Sequence, residues 1–311
     1  MHGDKIIFSQ VALKGSCYLV KDYLSLFKIQ LCLYIGLSAI LGHVMAARSF
    51  SFDSLFLGFF VLILACGSAV LNNVQDREYD GFFKRTCHRS LPQQKVPVLH
   101  AKIICLAMIV CGLSGLLFVR GFVPFFWGGM AVLFYNGIYT PLKKRSLLAI
   151  VFGSISGTLP PLIGWAATGK SILYPDILIL MGVFGLWQIS HFFIILLKTM
   201  QHQSKTDYPN RFPCFTNIFS QNEIKLQIMI WTSFFSLAIL LFLMNGSIEN
   251  YLLSIFSGLN AIIIIFLVST ILFKSKKQNI SFPFAAINLS MLFFIGAGIC
   301  DKCLLTFYSI K

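Results

Sequence analysis

Carboxylates are scarce in this chain, and three of the 11 fall within five residues, in the stretch NNVQDREYDGFFKRTCHRSLP. These three are Asp76, Glu78 and Asp80. Asn72, Asp76 and Asp80 are spaced four residues apart. On an α-helix each such step turns the side chain only about 40° past the previous one. The spacing therefore predicts a row of oxygen-bearing side chains on one helix face, with Glu78 pointing elsewhere.

This acidic row has the chemistry of a magnesium site. Mg²⁺ prefers hard oxygen ligands and completes its shell with waters and substrate phosphates. The basic residues Lys84, Arg85 and Arg89 follow at once and can donate hydrogen bonds to phosphate oxygens. The pattern predicts a site for Mg²⁺ and a diphosphate. An ordinary solvated loop with internal ion pairs is the alternative, which we disfavour because Asn72 and Asp76 continue the register of an apolar helix.

The elements that position this row are membrane helices. Of the 311 residues, 57% are hydrophobic and 12% are charged, with a mean hydropathy of +0.80. A soluble domain carries roughly 25% charged residues, and a membrane span needs about 20 apolar ones. Because backbone in lipid must satisfy its own hydrogen bonds, helices are expected. We predict an all-α, polytopic membrane protein of one domain (1–311) with a lead-in at 1–28, and nine transmembrane helices: 29–47, 54–73, 99–119, 122–140, 147–167, 174–197, 226–244, 250–272 and 282–300.

The basic residues orient these spans in the bilayer. If the N-terminus is cytoplasmic, all but five of the 25 Lys and Arg residues lie on the cytoplasmic side. The exceptions are Arg48, Arg120, Lys170, Lys302 and Lys311. Orientation therefore accounts for the net charge of +14, and no nucleic-acid partner is needed to explain it. The longer polar loops at about 74–98 and 198–225 then face the cytoplasm, where we expect the active site.

Several motifs resemble those of a known family. The run Asn72-x3-Asp76-x3-Asp80 is similar to the first aspartate-rich motif of the UbiA superfamily of intramembrane prenyltransferases, which also has nine helices and a cytoplasmic N-terminus. FKRTCHRSLP (83–92), GTLPPLIGWAATG (157–169) and WQISHF (187–192) resemble the signatures of its protoheme IX farnesyltransferases, the heme O synthases. DYLSLFKIQL (22–31) is also similar to a motif of this family. The family usually has Pro at the position of Ile29 in this run and at the position of Ser190 in WQISHF. The resemblance extends to about residue 220.

The resemblance implies a specific reaction in the cell inner membrane. A farnesyl group would pass from farnesyl diphosphate to the vinyl group of heme B and give heme O. It implies Mg²⁺ on Asn72, Asp76 and Asp80, and a catalytic set of Asp76, Asp80, Arg85 and Arg89, with Lys84 binding the diphosphate. The product would pass to heme A synthase or to the assembly of a terminal oxidase.

The second acidic motif of this superfamily is matched only partly in this sequence. In LKTMQHQSKTDYPNRFPCF (197–215), Asp207 is the only carboxylate, and Arg211 stands where a DxxxD motif would place the second aspartate. Asp207, Tyr208 and Pro213 partly match the run that heme O synthases have in this loop. We expect Asp207 and Tyr208 to bind substrate, against the alternative of a solvated loop.

Three further residues have two interpretations each. His191 lies within an apolar run, where a histidine is often a hydrogen-bonded structural residue. The family resemblance favours contact with heme, either with the iron or with a propionate. Tyr139 and Lys143 close the fourth span, where Lys143, Lys144 and Arg145 either anchor the helix at the interface or reach the diphosphate.

Other functions are less consistent with the sequence. A UbiA-type enzyme acting on an aromatic quinone precursor is the alternative in the same superfamily, and RT-x-x-R-x-L and PPLIGWAATG argue against it. A transporter or channel would place ionisable residues near the bilayer midplane, whereas here they gather at one face. A catalytically inactive relative is suggested only by the thin second motif.

Overall fold

The computed structural model describes residues 19–83, 86–202, 219–273 and 280–309. Lys84, Arg85, Asp207 and Tyr208, all expected at the site, lie outside the described residues. Within the described ranges the secondary structure is helical and contains no strand. The elements are α1 (19–26), α2 (Ile29–Ala47), α3 (Phe52–Phe82), α4 (Val98–Arg120), α5 (Phe122–Val132), a π-helical segment (Leu133–Tyr139), α6 (Thr140–Leu142), α7 (Ala149–Ala166), α8 (Pro175–His202), α9 (Gln221–Met244), α10 (Tyr251–Phe273) and α11 (Ser281–Ser309).

Nine helices in the described part of the chain are long and apolar enough to cross a bilayer. Two of these spans are composite: the first contains α1 and α2, and in the fourth α5, the π-helical segment and α6 continue into one another. Large apolar side chains such as Leu106, Phe118 and Phe266 are exposed on the outside of the bundle. Exposed apolar surface of this extent suits contact with lipid rather than with water. The predicted fold class, an all-α polytopic membrane protein, is confirmed.

Helix α3 is longer than the predicted apolar run. It continues without interruption to Phe82, nine residues beyond the predicted end at residue 73. Asn72, Asp76 and Asp80 are therefore all helical, and all three are buried. Glu78 points away from the row, as the helical spacing predicts, and it is exposed and pairs with Arg77 at 2.7 Å. We call the end of the bundle at which α3 ends the acidic end.

The bundle is tightest where α2 crosses α7. A Cβ atom added to Gly42 would lie 1.9 Å from the carbonyl oxygen of Pro161, and one added to Gly164 would lie 1.9 Å from that of Ala39. Small residues at a crossing allow membrane helices to approach through their backbones. Helix α2 also packs against α3, and α7 against α8. These four helices therefore surround the centre of the bundle.

Replacing Gly42 by Ala should destabilise this crossing. The added methyl group would meet the backbone of Pro161, which cannot move aside as a flexible side chain does. Overpacking of this kind costs about 1–3 kcal/mol, so the melting temperature of the detergent-solubilised protein should fall. Gly182→Ala is the matched control, because nothing lies within 4 Å of the added atom in α8. Equal melting temperatures for the two variants would contradict the close approach.

Candidate active site at the acidic end

The acidic row is removed from solvent. Asn72, Asp76 and Asp80 are 3%, 5% and 8% exposed. Burying a carboxylate costs several kcal/mol unless cations or hydrogen-bond donors compensate for the lost water. The position of the row therefore requires partners from other parts of the chain.

Asp76 is held by two lysines from the end of the composite fourth span. The ammonium group of Lys143 donates to Oδ2, which also accepts a hydrogen bond from Asn72 Nδ2 at 3.0 Å. The ammonium group of Lys144 lies 3.0 Å from Oδ1, but it donates its hydrogen bond to the carbonyl oxygen of Gln75 at 2.8 Å. Among the described residues, no donor forms a hydrogen bond with Oδ1, which is buried. Asp76 thus has two cations beside it and one oxygen without a hydrogen bond.

Lys28 is the third cation at the row. It lies between α1 and α2 with a left-handed backbone (φ 50°), which separates the two helices. Its Nζ donates to Asn72 Oδ1 at 3.0 Å. Lys28 was predicted only to orient the first span, and its place at the site was not predicted. The only signal was its position as the last residue before the first span.

Arg89 closes the row at the last turn of α3. Its Nη1 donates to Asp80 Oδ2 at 2.7 Å, and Thr86 Oγ1 donates to the backbone carbonyl of Asp80 at 2.9 Å. The loop after α3 therefore folds back onto the helix. Ser90 in the same loop donates to the Asp22 carboxylate at 2.9 Å and so ties the loop to α1. Arg89 was predicted to lie here, and the structure places it against Asp80.

The π-helical segment brings the lysine-bearing end of α6 to the row. Thr140 Oγ1 accepts a hydrogen bond from Asn72 Nδ2 at 3.0 Å and donates to the carbonyl of Tyr135 at 2.8 Å. Asn136 Nδ2 donates to the carbonyl of Ser68 at 3.0 Å. Short π-helical insertions occur often at functional sites, because they redirect the residues that follow. Thr140 and Asn136 carry no charge or motif, and sequence reasoning missed both.

Tyr139 lies between this segment and α7. Its ring stacks on Tyr135 with centroids 5.7 Å apart, and the Lys143 ammonium lies 5.5 Å from its centroid. A Cβ added to Gly153 would lie 3.0 Å from the Tyr139 ring, so this glycine makes room for the tyrosine. Tyr139 and Lys143, both predicted at the site, are therefore brought together next to Asp76.

An apolar cavity lies inside the bundle, one helical turn along α3 from the acidic row. Ser68, Ala65 and Val61 line it on α3, and Ser68 lies four residues before Asn72. Tyr34, Tyr135 and Trp187 add aromatic surface from three other helical elements. Ligand sites are typically lined by apolar and aromatic side chains with a few polar groups. The same face of α3 is thus acidic at one end and apolar along the cavity.

His191 does not join the acidic row. It lies on α8, one turn from the cavity-lining Trp187, with its Nδ1 3.1 Å from Asn288 Oδ1 of α11. Its ring lies between Trp187 and Phe284, with centroids 5.2 and 4.9 Å away. The structure therefore brings Asn72, Asp76, Asp80, Arg89, Tyr139 and Lys143 to one site and places His191 on another wall of the bundle.

The oxygen-bearing side chains of the acidic row fit a Mg²⁺ ion whose coordination shell is completed by a bound phosphate. Within the described ranges, no group of three or more His, Cys, Asp and Glu residues could hold a metal ion. Mg²⁺, however, is often bound by only one or two carboxylates plus substrate phosphates. Asp76 and Asp80 supply the carboxylates, Asn72 supplies an amide oxygen, and Asp76 Oδ1 is buried without a hydrogen bond. This combination suits a hard cation that arrives with a phosphate.

Comparison with known proteins places the chain in a family. The UbiA prenyltransferase family matches residues 35–293. A UbiA homolog from Archaeoglobus fulgidus, solved with GPP and Mg²⁺ bound, shares the fold with a TM-score of 0.68 and 13% identity, over 90% of this chain and 99% of that one. The fold and the family match define the class of protein: the chain belongs to the UbiA prenyltransferase family.

Two relatives of the chain are protoheme IX farnesyltransferases. The chain is 32% identical over 225 residues to a protoheme IX farnesyltransferase of Geobacter sulfurreducens, covering 72% of this chain and 81% of the relative. It is 27% identical to the protoheme IX farnesyltransferase of Neorickettsia sennetsu over 96% of this chain and 97% of that one. The resemblance drawn from the motifs is confirmed, and the prediction of a prenyltransferase enzyme is confirmed with it.

Replacing Lys28 by Met should weaken anion binding at the row. Hydrogen bonds to charged groups contribute about 1.5–3 kcal/mol, so the affinity for inorganic diphosphate with Mg²⁺ should fall about tenfold or more. Isothermal titration calorimetry on the purified protein measures it. Lys170→Met, at the opposite end of the bundle, is the matched control. If the two variants bound diphosphate equally well, Lys28 would only anchor Asn72.

Proposed function

We propose that this protein transfers a farnesyl group from farnesyl diphosphate to a vinyl group of heme B and so forms heme O. One observation carries the proposal: a buried acidic row with excess positive charge lies one helical turn from the residues that line an apolar cavity. Four cations, Lys28, Arg89, Lys143 and Lys144, are gathered around two carboxylates. The clustered cations suit a polyanion, and the apolar cavity suits a long hydrocarbon chain. A prenyl diphosphate has both a polyanionic group and a hydrocarbon chain.

The diphosphate would lie at the acidic end with the farnesyl chain in the cavity. Lys28 and Lys143 already donate to the row and can turn their remaining protons to phosphate oxygens. As the C1–O bond of the donor breaks, its electron pair leaves with the diphosphate. Fixed cations at that point stabilise the charge that develops in the transition state. Mg²⁺ held by Asn72, Asp76 and Asp80 would supply further charge neutralisation.

The cavity then protects the allylic cation that remains. Its walls are apolar apart from a few hydroxyl, thiol and amide groups, so little water would reach the cation. The rings of Tyr135 and Trp187 line it and offer π-faces to a positive charge. The terminal carbon of a heme vinyl group would bond to C1 of farnesyl. Water would then add to the neighbouring carbon and lose a proton, so the reaction releases diphosphate and needs no oxidant.

The names of the relatives support heme as the acceptor, since they are protoheme IX farnesyltransferases. On the resemblance alone, we propose that Lys84 and Arg85 add further contacts to the diphosphate and that Asp207 and Tyr208 also bind substrate. The Lys and Arg distribution supports an acidic end that faces the cytoplasm from the inner membrane. The product would serve heme A synthase or the assembly of a terminal oxidase.

The direct test is product formation. Purified protein in nanodiscs with heme B, farnesyl diphosphate and Mg²⁺ should yield heme O, identified by liquid chromatography and mass spectrometry. Asp76→Asn should lower the rate on the order of 100-fold or more, because the metal and the lysines lose their shared anion. Glu78→Gln is the matched control, since Glu78 is on the same helix but exposed and should leave the rate unchanged.

Two outcomes would contradict the proposal. Prenylation of 4-hydroxybenzoate without heme O would favour an enzyme for an aromatic quinone precursor. Full activity of Asp76→Asn would show that the acidic row does not hold the metal.

The cavity should also select the length of the donor. Ala65→Phe places a ring in the part of the cavity beyond Ser68, where overpacking costs about 1–3 kcal/mol. We expect kcat/KM for farnesyl diphosphate to fall about tenfold relative to that for geranyl diphosphate. Steady-state kinetics with both donors measure this ratio. Leu106→Phe, at an exposed position of α4, is the control. An equal loss for both donors would place the prenyl chain elsewhere.

A further inference from the structure

The imidazole of His191 is fixed in one orientation. Asn288 Nδ2 donates to the carbonyl oxygen of Phe284 at 2.7 Å, so its Oδ1 faces His191 Nδ1, 3.1 Å away. An amide oxygen can only accept, and Nδ1 must therefore carry the proton. Nε2 is left with a lone pair. A histidine ligand of a metal is usually prepared in this way, with the other ring nitrogen donating to a fixed acceptor.

Nε2 itself is unoccupied by protein. Among the described residues, His191 Nε2 has no hydrogen-bond partner, and the side chain is only half-buried. Trp187, one turn away and 8% exposed, lines the cavity, and its Nε1 is also without a partner in the described part of the chain. Two neighbouring polar groups without partners, one of them on a residue that lines an apolar cavity, are typical of a site that a ligand completes.

The same wall carries a cation, Lys198, on the helix face that carries His191. Lys198 lies seven residues beyond His191, which places both on one face of α8, about 10.5 Å apart along the axis. The Lys198 ammonium lies 5.8 Å from the centroid of Phe284, the ring that also contacts His191. Within the described ranges, no carboxylate forms an ion pair with Lys198. A ligand bound at this wall would meet the Lys198 ammonium with an anionic group.

This wall lies at the same depth along the bundle axis as the cavity. Tyr34, which lines the cavity, donates to the carbonyl oxygen of Asn288 at 3.5 Å. Tyr34 lies six residues beyond Lys28 along α2, about 9 Å further from the acidic row. His191 is thus at the level of the cavity, whereas Lys198 is nearer to the acidic end. An acceptor bound here would meet the prenyl donor from the side.

We propose that this wall is the acceptor subsite and that His191 Nε2 is an axial ligand of the iron of the heme substrate. This rests on the proposed function. Lys198 would meet a propionate at the edge of the porphyrin nearer to the acidic end. The vinyl groups would then lie at the opposite edge of the macrocycle, on the Trp187 side of His191. Asn288 is a positioning residue, which acts through the imidazole.

The test uses heme binding rather than turnover. Ferric heme titrated into the purified protein should give the absorption and electron paramagnetic resonance spectra of histidine-ligated iron. His191→Gly should lose these spectra and bind ferric heme more weakly by about tenfold or more, and added imidazole should restore the ligation. Metal-free protoporphyrin IX, titrated by fluorescence, should bind the variant as it binds the parent, because it lacks the iron. His100→Ala, with a histidine that contacts Tyr23 instead, is the control.

Lys198→Met separates the second contact. It should weaken the binding of both heme and metal-free protoporphyrin IX, but leave the binding of the protoporphyrin dimethyl ester unchanged. Unaltered spectra in His191→Gly would overturn the iron assignment. If His191→Gly lost as much affinity for metal-free protoporphyrin IX as for heme, His191 would be a contact of the porphyrin or of a propionate. That result would also overturn the iron assignment. If the parent neither bound heme nor formed heme O, the proposed function itself would fail. Heme O formation together with unaltered His191→Gly spectra would remove only this inference.

Discussion

A buried carboxylate that must keep its charge constrains the architecture at the acidic end. Asp76 is 5% exposed, and removing such a group from water costs several kcal/mol unless cations replace the solvent. Lys143 and Lys144 provide that compensation. They can reach Asp76 only because α3 stays helical to Phe82 and because the π-helical segment turns the end of the fourth span towards it. The long α3 and the irregular fourth span therefore serve the same interaction.

The same interaction explains how the site could work. Two lysines on one carboxylate leave the acidic row with more positive than negative neighbours, and one oxygen of Asp76 still lacks a hydrogen bond. Such a site is prepared for a metal ion and an anion together. The apolar cavity begins one helical turn away, at Ser68. Because the cations of the row lie outside the lining of the cavity, the charged and the hydrocarbon parts of a prenyl diphosphate would be separated along α3.

Much of this site could be predicted from local spacing. Asn72, Asp76 and Asp80 are conspicuous because carboxylates are rare here and because a spacing of four defines a helix face. Lys28 could not be predicted, since its charge looks the same as the charges that orient the spans. Thr140 and Asn136 have no charge and are recognisable only by their contacts. The roles of Lys84, Arg85, Asp207 and Tyr208 and the single domain over 1–311 remain predictions.

By itself, the sequence determined the nine membrane helices, the face that carries the acidic row and the family to which the chain belongs. These follow from apolar run length, helical period and motif, which are properties of neighbouring residues. Only the tertiary structure decided which cations meet the row and which amide fixes His191. Lys28 and Asn72 are 44 residues apart, Lys143 and Asp76 are 67, and His191 and Asn288 are 97. Contacts at such separations depend on how the helices pack, and no local pattern encodes them.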